Sequence, residues 1–344
     1  MSFVWFGFAW FMRRFLAGLV MVVGAIVLGV TIAGNLFAVG PAFEEMIDDF
    51  RPWITDESIA TLRADLDGLV EAVDSFQTEM APALISQLGM SPEEFAAMMA
   101  EYPAVTTGLQ VVPDAAAGFT GIIDLLEEQQ SNFLSADEIP TEQLPATTVP
   151  WGFAIAGILA IAVGLAMLAG RAWAVAAVVL GALLVGAALT LSLLTKAGDA
   201  DDLNAALLPV YTEEMVAGAS GAIEVIGAMG DEMATSMMPG LAQALGMTPE
   251  QTQEFVQSEF PVIAGALESM PAAVGRFEGL VGAFSANLAN YDTLVEVTFV
   301  PIVWTLIVSG ALILVFGGIA LLTPGQKTGE PVVVGEEPRV PVGV

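Results

Sequence analysis

The chain is 344 residues long, with 39 acidic and 9 basic residues, a net charge of −30 and 56% hydrophobic content at a mean hydropathy of +0.74. That apolar content is too high for an ordinary soluble domain and indicates the membrane class, while the charge speaks against a nucleic-acid partner, because polyanions repel one another. With no Cys and no His, disulfides, thiolate chemistry, zinc sites and imidazole acid–base catalysis are excluded.

Residues 1–14 hold Phe3, Trp5, Phe6, Phe8, Trp10 and Phe11 ahead of Arg13 and Arg14. This stretch is too short to span and is expected to lie along the cytoplasmic interface or to extend the first helix. The apolar run 15–38 gives a first membrane span over 15–39. It is longer than a signal-peptide core and reads as an uncleaved anchor. An acidic segment over 40–149 follows. Apolar runs at 151–169 and 172–194 give spans over 150–170 and 171–195, joined by a tight link at Arg171. A second acidic segment covers 196–298, a fourth span covers 299–323 (apolar run 300–322), and a Pro-, Val- and Gly-rich tail over 324–344 is expected to be disordered. None of the four apolar runs contains Asp, Glu, Lys or Arg.

Orientation follows from the scarce cations. Arg13, Arg14, Arg171, Lys327 and Arg339 all fall on one side of a four-span chain, which is therefore cytoplasmic, with both termini. The two acidic segments then face outward. They carry 21 acidic against 2 basic residues in 40–149, and 15 against 2 in 196–298. No Asn-x-Ser/Thr acceptor occurs. The Lys-poor composition, rich in Ala, Val, Gly and Glu, fits the plasma (inner) membrane of a prokaryote.

The chain also aligns with itself at a shift of 157 positions. Arg14 falls on Arg171, Gly24 on Gly181, Pro52 on Pro209, and Met80-x-Pro82-x-Leu84 on Met237-x-Pro239-x-Leu241. Leu88-Gly89-Met90-Ser91-Pro92-Glu93 falls on Leu245-Gly246-Met247-Thr248-Pro249-Glu250. After one inserted residue the match resumes with Pro113 on Pro271, Phe119 on Phe277 and Gly121 on Gly279; the last spans align Gly157 on Gly310 and Gly164 on Gly317. The expected architecture is all-α: two tandem copies of span, helical outer segment and span, at 14–170 and 171–325, related by a pseudo-two-fold axis along the membrane normal. Small residues at four-residue spacing (Ala156, Ala160 and Gly164; Ala177 and Gly181) mark close helix contacts.

Within the outer segments Thr55, Ser91, Thr212 and Thr248 are expected helix N-caps, the second and fourth with Glu or Gln closing a capping box. A long helix is expected over 56–79, with Ile59, Leu62, Leu66, Leu69, Val70 and Val73 on one face. Shorter helices follow, broken near Pro103 and Pro113 and resuming over 115–131. Each segment is expected to form its own small bundle.

Three features could carry chemistry. Glu44, Glu45, Asp48 and Asp49 after the first span, and Asp201 and Asp202 after the third, could hold a divalent cation or form a solvated acidic face. Met98, Met99, Met237 and Met238 could line a hydrophobic groove, bind Cu(I) or pack in a core. The spans hold few polar groups, which argues against an ion-coupled transporter. No nucleophile elbow, phosphate loop, dinucleotide fingerprint or metalloprotease motif occurs, so neither an enzyme nor a cofactor is expected. The expected function is a non-enzymatic membrane protein whose acidic helical domains bind a partner protein, self-associate or scaffold an envelope complex. The alternative is a passive channel or a lipid carrier with a cation-attracting vestibule.

Overall fold

The computed structural model describes residues 2–141 and 143–323; the tail over 324–344 and the side chains of residues 2–9, with the expectations placed on them, lie outside this description. Among the described residues the chain is all-α, with the helices α1 (Ser2–Ala33), α2 (Leu36–Phe50), α3 (Asp56–Ser75), α4 (Ala81–Leu88), α5 (Pro92–Met99), α6 (Pro103–Asp137), α7 (Thr148–Ala169), α8 (Trp173–Thr190), α9 (Leu193–Leu207), α10 (Glu213–Glu232), α11 (Met238–Leu245), α12 (Pro249–Glu259), α13 (Pro261–Ala286), α14 (Leu288–Val295) and α15 (Phe299–Leu322). They form two compact units: residues 2–34, 150–191 and 302–323 in the first, 35–149 and 192–301 in the second.

The first unit is built from α1, α7, α8 and α15, joined by a core of Leu16, Val20, Ala160, Met167, Ala174, Ala177 and Ile313. Its helices pair antiparallel through glycine. A Cβ on Gly24 would lie 2.7 Å from the Gly157 carbonyl, and one on Gly164 would meet Met21 and the Ala17 carbonyl. The second pair repeats this: a Cβ on Gly181 would lie 2.5 Å from the Gly310 carbonyl, and one on Gly317 would meet Ala177 and the Ala174 carbonyl. Without a hydrophobic force between helices in lipid, this backbone-level approach is what dispersion forces require. The outward faces stay apolar, with Ile26, Ile158, Leu183 and Leu312 exposed. At one end Arg14 lies over the Trp10 ring, and the Arg171 guanidinium donates to the Leu321 carbonyl at the C-terminus of α15.

Among the described residues five helices could cross a membrane by length and composition: α1 over Trp10–Ala33, α6, α7, α8 and α15. The sequence analysis counts four, and α6 is the addition. It belongs to the second unit, where Val105 and Ile123 are fully buried, and it carries Asp114, Asp124, Glu127, Glu128 and Asp137.

The second unit draws on both halves of the chain. The expectation of one bundle per segment is corrected, because each of its cores mixes the two. One core joins Phe43, Phe50, Leu62 and Ile123 to Leu203, Tyr211, Leu280 and Leu294; the other joins Met80, Leu84 and Val105 to Met229, Met237 and Ile263. The apolar faces of α3 and α6 are completed by α13 and α10, so neither half closes a core alone.

The sequence register recurs in the backbone. Asn35 and Ser192, 157 positions apart, both have positive φ (50° and 53°), and so do Gly89 and Gly246 (66° and 67°). The left-handed residues end the apolar helices at Ala33 and Thr190, short of the ends expected from hydropathy, because a right-handed helix cannot continue through that conformation.

The helix expected over 56–79 instead ends at Ser75. A π-turn, Phe76–Met80, follows, and its copy is Met233–Met237. The Ala81 and Met238 amides donate five residues back, to the Phe76 and Met233 carbonyls. Pro82 and Pro239 then fall in the first turn of the next helix, where the missing amide is tolerated.

The expected break at Pro113 is also absent: α6 runs unbroken through it, as α13 does through Pro271. Proline removes one internal hydrogen bond, and burial of Val112 and Ala116 on either side holds the helix through it.

All four expected caps form. Thr55 and Thr212 accept from Ser58 and Met215 amides at 3.1 Å, while Ser91 with Glu94 and Thr248 with Gln251 make full capping boxes. Ser91→Ala should cost about 1 kcal/mol in chemical denaturation. The backbone and side-chain hydrogen bonds to Ser91 hold the Glu94 carboxyl below its ordinary value. The stabilisation is therefore present above the unfolded carboxylate range and lost as pH falls through the lowered value. Glu94→Gln should remove that acid sensitivity.

Candidate functional site

The acids singled out as cation ligands do not gather. Glu44 accepts from the Ala146 amide, and Asp48 pairs with Arg51 at 2.7 Å. Asp49 accepts from Asn287 at 2.8 Å, and Asp201 caps α15 through the Phe299 and Val300 amides. Glu45 and Asp202 are exposed. Among the described residues no group of three or more acids is placed to hold a metal ion.

Of the three readings open to the methionines, the structure supports core packing over a groove. Met99 and Met237 are buried in the second core, and Met98 and Met238 pack against it beside Leu84, Phe95 and Leu241. Their spacing alongside Leu and Phe is that of a core face.

Charge is distributed unevenly in the second unit. Its four cations are all held internally. Arg51 bonds Asp48 and Asp137, Arg63 bonds Asp124 and Glu127, Lys196 bonds Glu138, and Arg276 grips Asp65 at 2.6 and 2.7 Å. The Asp137 hydrogen bond, then its charge, raises the Arg51 pKa, which keeps the guanidinium charged. These four cations contact six carboxylates and balance four charges, out of 21 acids in residues 40–149 and 15 in residues 196–298. The unit therefore presents a strongly negative surface with its own cations already used.

An open groove runs between α6 and α10. Its volume is about 400 Å³, and it is lined by Ala115, Gly118, Phe119, Ile122, Met215 and Ala219, with Thr212 and Glu214 at one end. It has no signature in the sequence, because its walls are largely Ala and Gly, which carry no motif.

Its counterpart by the internal register, between α13 and α3, is largely filled, leaving only a small apolar cavity lined by Asp65, Leu69, Ala273 and Phe277. There Trp53 covers Gly279, with ring atoms 2.7 Å from where a Cβ would sit, and Arg276 reaches across to Asp65. In the open groove these three filling positions hold Val210, Gly118 and Ala222. Nothing lies within 4 Å of a Cβ built on Gly118, Gly121 or Gly218. Between the two grooves the equivalent rings Phe119 and Phe277 meet at 4.8 Å.

A buried polar cluster lies in the first core. Tyr211 stacks on Tyr291 at 4.4 Å, and the Tyr291 hydroxyl donates to the Asn204 carbonyl at 2.8 Å. Burial raises both phenols, Tyr291 to about 12, so both stay neutral. The cluster is a packing feature without access to solvent, and the groove is the candidate site.

No family model matches the chain, and no curated protein is found similar to it. The apolar helices by themselves suggest a membrane protein.

Proposed function

We propose that this chain is a non-enzymatic multi-pass membrane protein whose acidic helical unit recognises a basic partner protein on the outer face of a prokaryotic plasma membrane. In this reading α1, α7, α8 and α15 are the spans, arranged as two tandem copies. The end bearing Arg13, Arg14 and Arg171 is cytoplasmic, and α6 belongs to the outer body. Five acids along α6 and its burial in shared cores support that assignment, since carboxylates are costly at mid-membrane.

The observation that carries the proposal is the charge arrangement. All four cations of the unit are internally paired, so a large excess of carboxylate faces outward with no matching charge in the unit. Such a field speeds encounter with a basic surface and repels acidic ones. Its test is purification from native membranes in mild detergent, with chemical crosslinking. A basic protein is expected to accompany the chain at low salt and to leave it as salt rises, because exposed charges are screened. Recovery of the chain alone under all conditions would overturn the proposal.

The second reading, a carrier of a hydrophobic ligand, is favoured by the groove itself. It predicts lipid in the purified protein, detectable by mass spectrometry.

A further inference from the structure

The two equivalent grooves of the second unit differ in how far the chain fills them, and one is largely filled by the chain itself. At α13 and α3 the filling is an indole laid on a glycine and a guanidinium held by a carboxylate. At α6 and α10 the same three positions carry Val210, Gly118 and Ala222, and the space stands open. The filled groove thus displays the kind of group that fits the geometry: a flat aromatic ring beside a cation.

From this we infer that the α6–α10 groove docks an amphipathic helix of a partner protein, one that presents an aromatic residue and Arg or Lys on the same face. This rests on the proposed basic partner and specifies how it would be read. The glycines allow close approach, since side chains on an incoming helix can reach the α6 and α10 backbones at Gly118, Gly121 and Gly218. The apolar floor of Phe119, Ile122 and Met215 takes the ring. Glu214, which lines the groove, with the exposed Glu213 next to it in the chain, takes the cation. A fatty acid or phospholipid fits less well. Its apolar chain suits the floor, but its anionic head would lie against those carboxylates.

The test uses full-length protein in nanodiscs of zwitterionic lipid, with empty nanodiscs as the baseline. The probe is a fluorescein-labelled synthetic helix of about 18 residues made of Leu and Lys with one Trp, read by anisotropy. A Leu/Glu peptide of the same pattern and a dansyl-labelled fatty acid are the comparison probes. Two variants copy the filled groove into the open one: Val210→Trp adds bulk, and Gly118→Arg with Ala222→Asp adds the ion pair. Both keep to residues that the sister groove accommodates, and their melting curves report folding independently.

The Lys peptide is expected to bind wild type above baseline and to lose at least about tenfold in affinity in each variant. The Glu peptide should not bind. Equal binding of the Lys peptide by wild type and by folded variants would overturn the groove while leaving the acidic-surface proposal intact. Absence of Lys-peptide binding to wild type would overturn both. Binding of the fatty acid, lost in the variants, without binding of the peptide would overturn this inference in favour of a lipid groove.

Discussion

Replacing Gly181 with leucine will separate α8 from α15, lowering stability in detergent by about 3 kcal/mol, at the upper end of overpacking costs. The new Cβ would lie 2.5 Å from the Gly310 carbonyl and from the Leu314 amide. Both are backbone atoms, which cannot rotate away as a side chain end can. Gly24→Leu should act the same way on α1 and α7, where the obstacle is the Gly157 carbonyl at 2.7 Å. Gly186→Leu, on the same α8 helix with nothing within 4 Å, should be close to neutral. Thermal unfolding of the three variants side by side separates contact from mere loss of glycine.

Removing the Arg276 side chain should destabilise the second unit by about 2 kcal/mol, and removing Asp65 with it should restore most of the loss. Asp65 is only 11% exposed, so without Arg276 its carboxylate is left largely desolvated; Arg276 itself is 36% exposed, which weakens the pair below a fully buried one. The geometry is bidentate, at 2.6 and 2.7 Å. A double-mutant cycle of Arg276→Met and Asp65→Leu, followed by urea denaturation, measures the coupling. If the two single losses simply added, the pair would not be acting as a unit. The variant Arg276→Gly with Asp65→Ala has a further use, since it removes the ion pair from the filled groove and leaves Trp53 as its only plug.

What the sequence discloses and what it hides divide along a physical line. The caps at Thr55, Ser91, Thr212 and Thr248 were readable because capping is decided by a few adjacent residues. The all-α character and the apolar helices were readable from composition and period. Pro113 misled, because proline's local cost was outweighed by burial of Val112 and Ala116, which only the fold reveals. The left-handed Asn35 and Ser192 carry no glycine signal. The mixing of the two halves in shared cores was hidden too, since an apolar face shows that it must be buried without showing against what. The methionines, spaced alongside Leu and Phe, read as core, and core is where they lie. The actual groove is a deficit of side chains, at Gly118 and Ala222 opposite Arg276 and Asp65. It becomes visible only when the repeat register and the three-dimensional contacts are compared.

The central claim is that α6 lies in an outer body with both acidic segments and does not cross the membrane. The absence of cysteine makes a direct test possible, with single cysteines placed at the exposed Thr107 and Ser131 near the two ends of α6, and at Ala172 in the α7–α8 link. Right-side-out vesicles are treated with a membrane-impermeant maleimide, before and after permeabilisation. The expected result is labelling of Thr107→Cys and Ser131→Cys from outside and of Ala172→Cys only after permeabilisation. Labelling of one end of α6 but not the other would make α6 a fifth span and contradict the account.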